Sequence, residues 1–155
     1  MPHEVTGAAA SAGCVLDERA SHANAGAPYL VTRGLVKGYG EGAARMEVLR
    51  GIDVEIARGE ICVLLGPSGS GKSTFLNLIG GLEAADGGSI EVGGIAITTL
   101  GKKALGEYRR SELGFVFQFY NLVPDLTIRE NIEVTAHLSE NPLPIDDLLK
   151  SLGLY

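Results

Sequence analysis

The sequence predicts an α/β fold organised around one strand, one glycine loop and one helix, and three observations carry that reading. Ile61-Cys62-Val63-Leu64-Leu65 is a continuous apolar run between Glu60 and Gly66, the pattern of a buried strand. It leads into Gly66-Pro67-Ser68-Gly69-Ser70-Gly71-Lys72-Ser73-Thr74, which fits the spacing Gly, four residues, Gly-Lys-Ser/Thr. Phe75, Leu76, Ile79 and Leu82 then fall at i, i+1, i+4 and i+7, one face of a helix that starts near Lys72. At this glycine usage the loop pattern arises by chance in roughly one chain in 50 of this length. The strand before it and the helix after it separate it from a glycine-rich surface turn.

The remaining elements are read in chain order. Residues 1–28 are rich in Ala, Gly, Ser and Asn without a sustained hydrophobic period, and read as a disordered tail. Ser11-Ala12-Gly13-Cys14 has the outline of a lipoprotein cleavage box, but no basic start or apolar core precedes it. Tyr29 to Lys37 and Val48 to Ile56 read as strands joined by the loop Gly38 to Met46, with clean alternation only from Ile52. Ser89 to Ile97, introduced by Asp86-Gly87-Gly88, is a further strand that Gly93-Gly94 splits into a hairpin. Lys102 to Glu112 is a charged helix, and Gly114 to Gln118 a short buried strand. Thr127-Ile128-Arg129-Glu130 fits a capping box that opens a helix to about Leu138. Pro144 to Leu152 is the last helix, with Gly153 as its cap.

Composition bounds the function. The 155 residues suffice for one core, and 45% hydrophobic residues is ordinary for a soluble globular domain. No apolar stretch approaches the roughly 20 residues that span a bilayer. A net charge of −6 argues against a general nucleic-acid binder. The two cysteines, Cys14 and Cys62, suggest neither a disulfide framework nor a metal site, and Cys62 reads as a small packed hydrophobe.

The loop has a specific chemistry. A nucleoside triphosphate needs several donors around its β- and γ-phosphates, and side chains alone would crowd them. Gly66, Gly69 and Gly71 allow backbone N–H groups to turn inward, and the helix after the loop aims its positive end at the same anion. Lys72 adds a charge between the β- and γ-phosphates, and the Ser73 hydroxyl suits Mg²⁺.

Two more segments narrow the class. Gly114-Phe115-Val116-Phe117-Gln118-Phe119-Tyr120-Asn121-Leu122-Val123-Pro124-Asp125-Leu126-Thr127-Ile128-Arg129-Glu130-Asn131-Ile132 resembles the Q-loop region of ABC transporter ATPases. Leu35-Val36-Lys37-Gly38-Tyr39-Gly40 resembles the aromatic A-loop of that family, and residues 66–74 have its common phosphate-loop form. The resemblance runs from about Leu30 to Tyr155, closest to the group that exports lipoproteins or macrolides. It implies a P-loop NTPase of ABC type with an N-terminal antiparallel β subdomain, spanning 29–155.

By that resemblance the ligands are ATP and Mg²⁺. Tyr39 stacks on adenine, Lys72 and Gln118 are the catalytic residues, and Ser73 and Gln118 reach the metal. Gly66, Pro67, Ser68, Gly69, Ser70, Gly71, Lys72, Ser73 and Thr74 hold the phosphates. The implied partners are a membrane-spanning transporter subunit and a second ATP-binding subunit, at the cytoplasmic face of the membrane, with no nucleic acid. Phe119, Tyr120, Leu122 and Leu126, crowded into a predicted loop, would offer a patch to a partner helix.

The chain departs from the family in three motifs. The Leu-Ser-Gly-Gly-Gln signature, an apolar strand ending Asp-Glu and a switch His are not found within 1–155, so the reading is of a truncated domain. Asp86, Asp125 and Glu130 stand in the wrong contexts for the missing carboxylates, and His137 and His3 read as surface residues. Turnover by this chain alone is not expected, and a non-catalytic remnant stays open as an alternative. A small phosphotransferase would need an Arg-rich lid, for which Arg109-Arg110 is the only basic pair. Ile61 to Leu65 would lack parallel neighbours, which predicts bare apolar side chains, marginal stability and aggregation.

Overall fold

The computed structural model describes residues 15–16, 28–139 and 141–154. The chain divides into two compact units, Met1–Leu100 and Gly101–Tyr155. The tail predicted for 1–28, with Cys14 and His3, lies outside the described residues except at Val15–Leu16 and Pro28.

The first unit contains β1 (Val15–Leu16), β2 (Pro28–Tyr39), β3 (Met46–Ala57), β4 (Leu64–Leu65), α1 (Lys72–Ile79), β5 (Gly87–Val92) and β6 (Ile95–Ala96). Four of its strands form an antiparallel sheet in the order β3-β2-β5-β6, while β1 pairs only with β4. Both long strands are present as the alternation predicts, extended by one or two residues at each end. A 3-10 turn at Gly42–Ala44 joins them. The hairpin at Gly93-Gly94 is also present, with Val92 opposite Ile95.

The alternation of β2 is broken once. Leu30 and Thr32 point inward, and burial resumes at Leu35 rather than at residue 34. The register slips between Thr32 and Leu35 against β3, and between Arg33 and Val36 against β5. This is a bulge, and Gly34 occupies it with φ +54° and donates its N–H to Asp53 Oδ1 at 2.6 Å. Gly88 lies against it with φ +83°, where a Cβ would meet the Gly34 oxygen at 2.4 Å and the Arg33 oxygen at 2.5 Å. Only glycine fits there. Thr32 is buried in full, and its hydroxyl donates to the Ile52 carbonyl at 3.1 Å, which satisfies its polar group.

The core of this unit gathers Leu30, Leu35, Leu49, Val54, Ile90, Val92 and Ile97 from the sheet and the turn after it, with Phe75 and Leu78 from α1. The apolar run before the loop does not join it. Only Leu64–Leu65 is a strand, and Ile61, Cys62, Val63 and Leu65 are exposed: composition predicts a buried strand with Cys62 packed inside, whereas the expected lack of parallel neighbours predicts the bare side chains that are found. The reason is pairing: among the described residues β4 has only Val15–Leu16 beside it, so residues 61–63 have no ladder to hold them extended.

The second unit is helical, with α2 (Lys102–Glu112), α3 (Ile128–Ala136) and α4 (Ile145–Ser151). Each matches a predicted helix. The capping box is formed in full: Thr127 Oγ1 accepts from the Glu130 N–H, and the Glu130 carboxylate accepts from the Thr127 N–H at 2.7 Å. The Thr127 hydroxyl also donates to the Glu130 carboxylate at 2.7 Å, and the two Thr127 donors, backbone first and hydroxyl second, lower the Glu130 pKa. Gly153 comes after α4 with φ +69°. Arg129 of α3 donates to Asp146 of α4, and Asp146 is lowered by that bond. The strand predicted for Gly114 to Gln118 is absent: the segment is irregular and exposed, Val116 completely so, and Phe115 and Phe117 stack on each other at 5.5 Å. Apolar residues without a neighbouring strand cannot satisfy a ladder. No helix among the described residues is long and apolar enough to cross a membrane.

Candidate functional site

The glycine loop leaves β4 and turns into α1 at Gly71, whose φ of 90° is left-handed. A Cβ on Gly71 would come within 2.9 Å of Leu49 Cδ2 and 3.0 Å of Val48 Cγ1, so a side chain there would displace those methyl groups as well as adopt a strained positive φ. The sheet thus fixes where the loop turns. Ser70 is buried, and its N–H closes the turn on the Pro67 carbonyl at 3.3 Å. Gly66, Pro67, Ser68, Gly69 and Ser73 are exposed, while Thr74 is half-buried.

Lys72 curls back over this turn. Its Nζ donates to the Gly66 carbonyl at 2.8 Å, the Pro67 carbonyl at 2.7 Å and Ser70 Oγ at 3.3 Å. An ammonium ion therefore stands inside a glycine turn at the start of a helix, where unpaired N–H groups and the helix dipole also favour an anion. A phosphate fits this donor set. A cation would find the exposed hydroxyls of Ser68 and Ser73, of which Ser73 lies on α1, and no group of three His, Cys, Asp or Glu among the described residues. That suits Mg²⁺, which keeps waters and takes phosphate oxygens with one or two protein ligands.

Tyr39 ends β2 and is about two-fifths exposed. Its hydroxyl donates to Glu83 Oε2 at 2.6 Å and lies 3.5 Å from Thr74 Oγ1, the last residue of the loop motif. Glu83 also accepts from Asn77 Nδ2 of α1 at 2.7 Å. The Tyr39 hydrogen bond, then that of Asn77, lowers the Glu83 pKa, and the carboxylate in turn raises that of Tyr39. Nearby, Asp86 accepts from the Gly38 N–H at 2.8 Å and from Arg45 at 2.6 Å, and is lowered mainly by the former. Lys37 Nζ lies 5.4 Å from the Tyr39 ring centroid.

The structure thus brings Tyr39 to the end of the glycine loop in the same unit. Gln118 belongs to the second unit and stands exposed in the irregular segment after α2. Phe119, Tyr120 and Leu122 are exposed there as well. Sequence reasoning missed Glu83 and Asn77, because two polar side chains six positions apart match no motif. A signal was present in their place: Asn77 falls one turn into the predicted helix and Glu83 just past its last apolar position.

Comparison with known proteins bears on the family. The chain is 44% identical over 109 residues to the lipoprotein-releasing system ATP-binding protein LolD of Alcanivorax borkumensis, covering 70% of this chain and 48% of that one. It is 40% identical over 132 residues to the macrolide export ATP-binding/permease protein MacB of Shigella flexneri, covering 82% of this chain and 20% of the other. Among solved structures, the dimeric ATP-binding cassette MJ0796 in a post-hydrolysis state bound to ADP and Pi superposes with a TM-score of 0.66 at 31% identity, over 78% of this chain and 53% of that one. The chain therefore spans about half the length of its LolD and MJ0796 relatives, and about a fifth of MacB. Residues 49–155 match the family model for the ABC transporter, and the chain belongs to that family.

Proposed function

We propose that this chain binds Mg·ATP through residues 66–74, as the ATP-binding part of an ABC transporter subunit that drives export through a membrane-spanning partner. The observation that carries the reading is the Lys72 ammonium held inside the glycine turn at the start of α1. Its relatives LolD and MacB are named for lipoprotein release and macrolide export, which supports transport as the process served. In this reading residues 29–155 are the nucleotide-binding domain. Tyr39 stacks on adenine, and Gly66, Pro67, Ser68, Gly69, Ser70 and Gly71 supply the cradle, with Lys72 the phosphate charge. Thr74 closes the loop, and Ser73 and Gln118 reach Mg²⁺.

When bound, Mg²⁺ neutralises phosphate charge and prepares the γ-phosphate for transfer. The chain's own part is to hold and orient: Lys72 moves its hydrogen bonds from loop carbonyls to phosphate oxygens, and the helix start faces the same charge. Turnover would need a second ATP-binding subunit beside this one, at the inner face of a membrane. Calorimetric titration with Mg·ATP tests the binding step. Lys72→Ala should weaken binding by at least about tenfold, the loss of one charge-assisted contact. Equal affinity for the variant and the parent chain would remove the proposal's basis.

A further inference from the structure

Tyr39 is held at more points than an exposed aromatic needs for stability. Its hydroxyl donates to Glu83, and Glu83 is itself fixed by Asn77, which α1 carries. The backbone beside the ring is pinned as well. The Gly38 N–H donates to Asp86 Oδ2 at 2.8 Å, and the Asp86 N–H donates to the Val36 carbonyl at 2.9 Å. Lys37, which flanks the ring, donates to the Ala84 carbonyl at 2.7 Å and lies 4.0 Å from Glu83 and 3.7 Å from Asp86. All these groups belong to the first unit.

The arrangement has one mechanical consequence. α1 begins at Lys72 in the phosphate loop and carries Asn77, so the loop and the hydroxyl end of the Tyr39 ring are referred to the same helix. A phenol whose single proton is committed to a carboxylate has no donor left for a base edge, and meets a ligand through its π face. A ring already ordered also costs less entropy to use on binding.

We infer that Glu83, braced by Asn77, is a positioning residue that fixes the Tyr39 ring relative to α1 for stacking on the base of a nucleoside triphosphate. The inference rests on the binding reading above, stacking by Tyr39 included, and adds to it the residue that holds the ring in place.

Calorimetry on the full 155-residue chain tests it with Mg·ATP, Mg·GTP and Mg·tripolyphosphate, the last having no base. Glu83→Ala should weaken ATP and GTP alike by about 2- to 10-fold, the cost of ordering one side chain on binding. Tripolyphosphate affinity should not change. Tyr39→Phe, which keeps the ring and loses the tether, should weaken ATP to the same degree, and the double variant should be no weaker than either single one. Glu83→Gln keeps an acceptor for the phenol and should recover most of the loss, which also guards against a variant that simply unfolds.

Equal weakening of ATP and tripolyphosphate by Glu83→Ala would assign Glu83 to the fold of the loop and overturn the inference. Additive losses in the double variant would overturn it too. A parent chain that binds none of the three ligands would instead sink the binding reading and, with it, the role of Glu83. Binding of ATP and tripolyphosphate with equal affinity by parent and Glu83→Ala would leave the binding reading intact and remove only the inference.

Discussion

Ile52, Val54 and Ile56 in β3 and Ile61, Val63 and Leu65 before the loop are similar side chains at the same spacing of two, a few residues apart. The first three face Leu35, Thr32 and Leu30 across the ladder and are buried or half-buried. The second three are exposed, Ile61 by 82%. The difference lies in what stands beside the backbone. β3 pairs along most of its 12 residues, whereas β4 pairs over two. An apolar run is buried by its neighbours, and its own composition does not supply them.

The contrast can be broken or sharpened by substitution. Leu35→Ala removes a side chain with no exposure and should cost about 2–5 kcal/mol in urea unfolding monitored by circular dichroism. Ile61→Ala and Val63→Ala should change stability by less than about 0.5 kcal/mol. Comparable losses at Leu35 and Ile61 would mean that the run before the loop is packed in solution. Gly88→Ala comes next, at about 1–3 kcal/mol for a side chain forced to positive φ, with its Cβ against two backbone oxygens. Unchanged unfolding of that variant would show that the bulge at Gly34 can relax. Thr127→Ala in the helical unit should cost about 1 kcal/mol through the lost cap, read as reduced helix content, and should leave the sheet untouched.

The smallest effect is electrostatic. Glu83 is lowered in the folded chain by Tyr39 and Asn77, so its carboxylate stabilises the fold above the ordinary value of 4.5. That contribution fades as pH falls from 4.5 through the lower folded value. Tyr39→Phe should flatten this part of the stability profile, and a profile identical to that of the parent chain would show that the phenol does not hold Glu83 in solution.

Much of the fold was legible where a local rule and its partner lay close together. Thr127 and Glu130 form the predicted capping box, Gly93-Gly94 turns the predicted hairpin, and Lys102–Glu112 is the predicted helix. What misled was burial. Cys62, Val63, Val116 and Phe117 have the composition of buried strand residues, and periodicity cannot tell whether a second strand lies alongside. In the candidate site, the turn of residues 66–71 into α1 was readable because the glycine spacing dictates the backbone form. The Tyr39–Glu83–Asn77 chain was not, because it joins a strand end, a helix and a turn through side chains that no spacing relates.

The three oxygens around Lys72 make the loop its own first occupant. An anion bound as proposed would not add contacts to a bare ammonium ion; it would exchange with the Gly66 and Pro67 carbonyls and the Ser70 hydroxyl for the same protons. The affinity of the loop is therefore a difference between two sets of acceptors, and a tighter turn would compete harder.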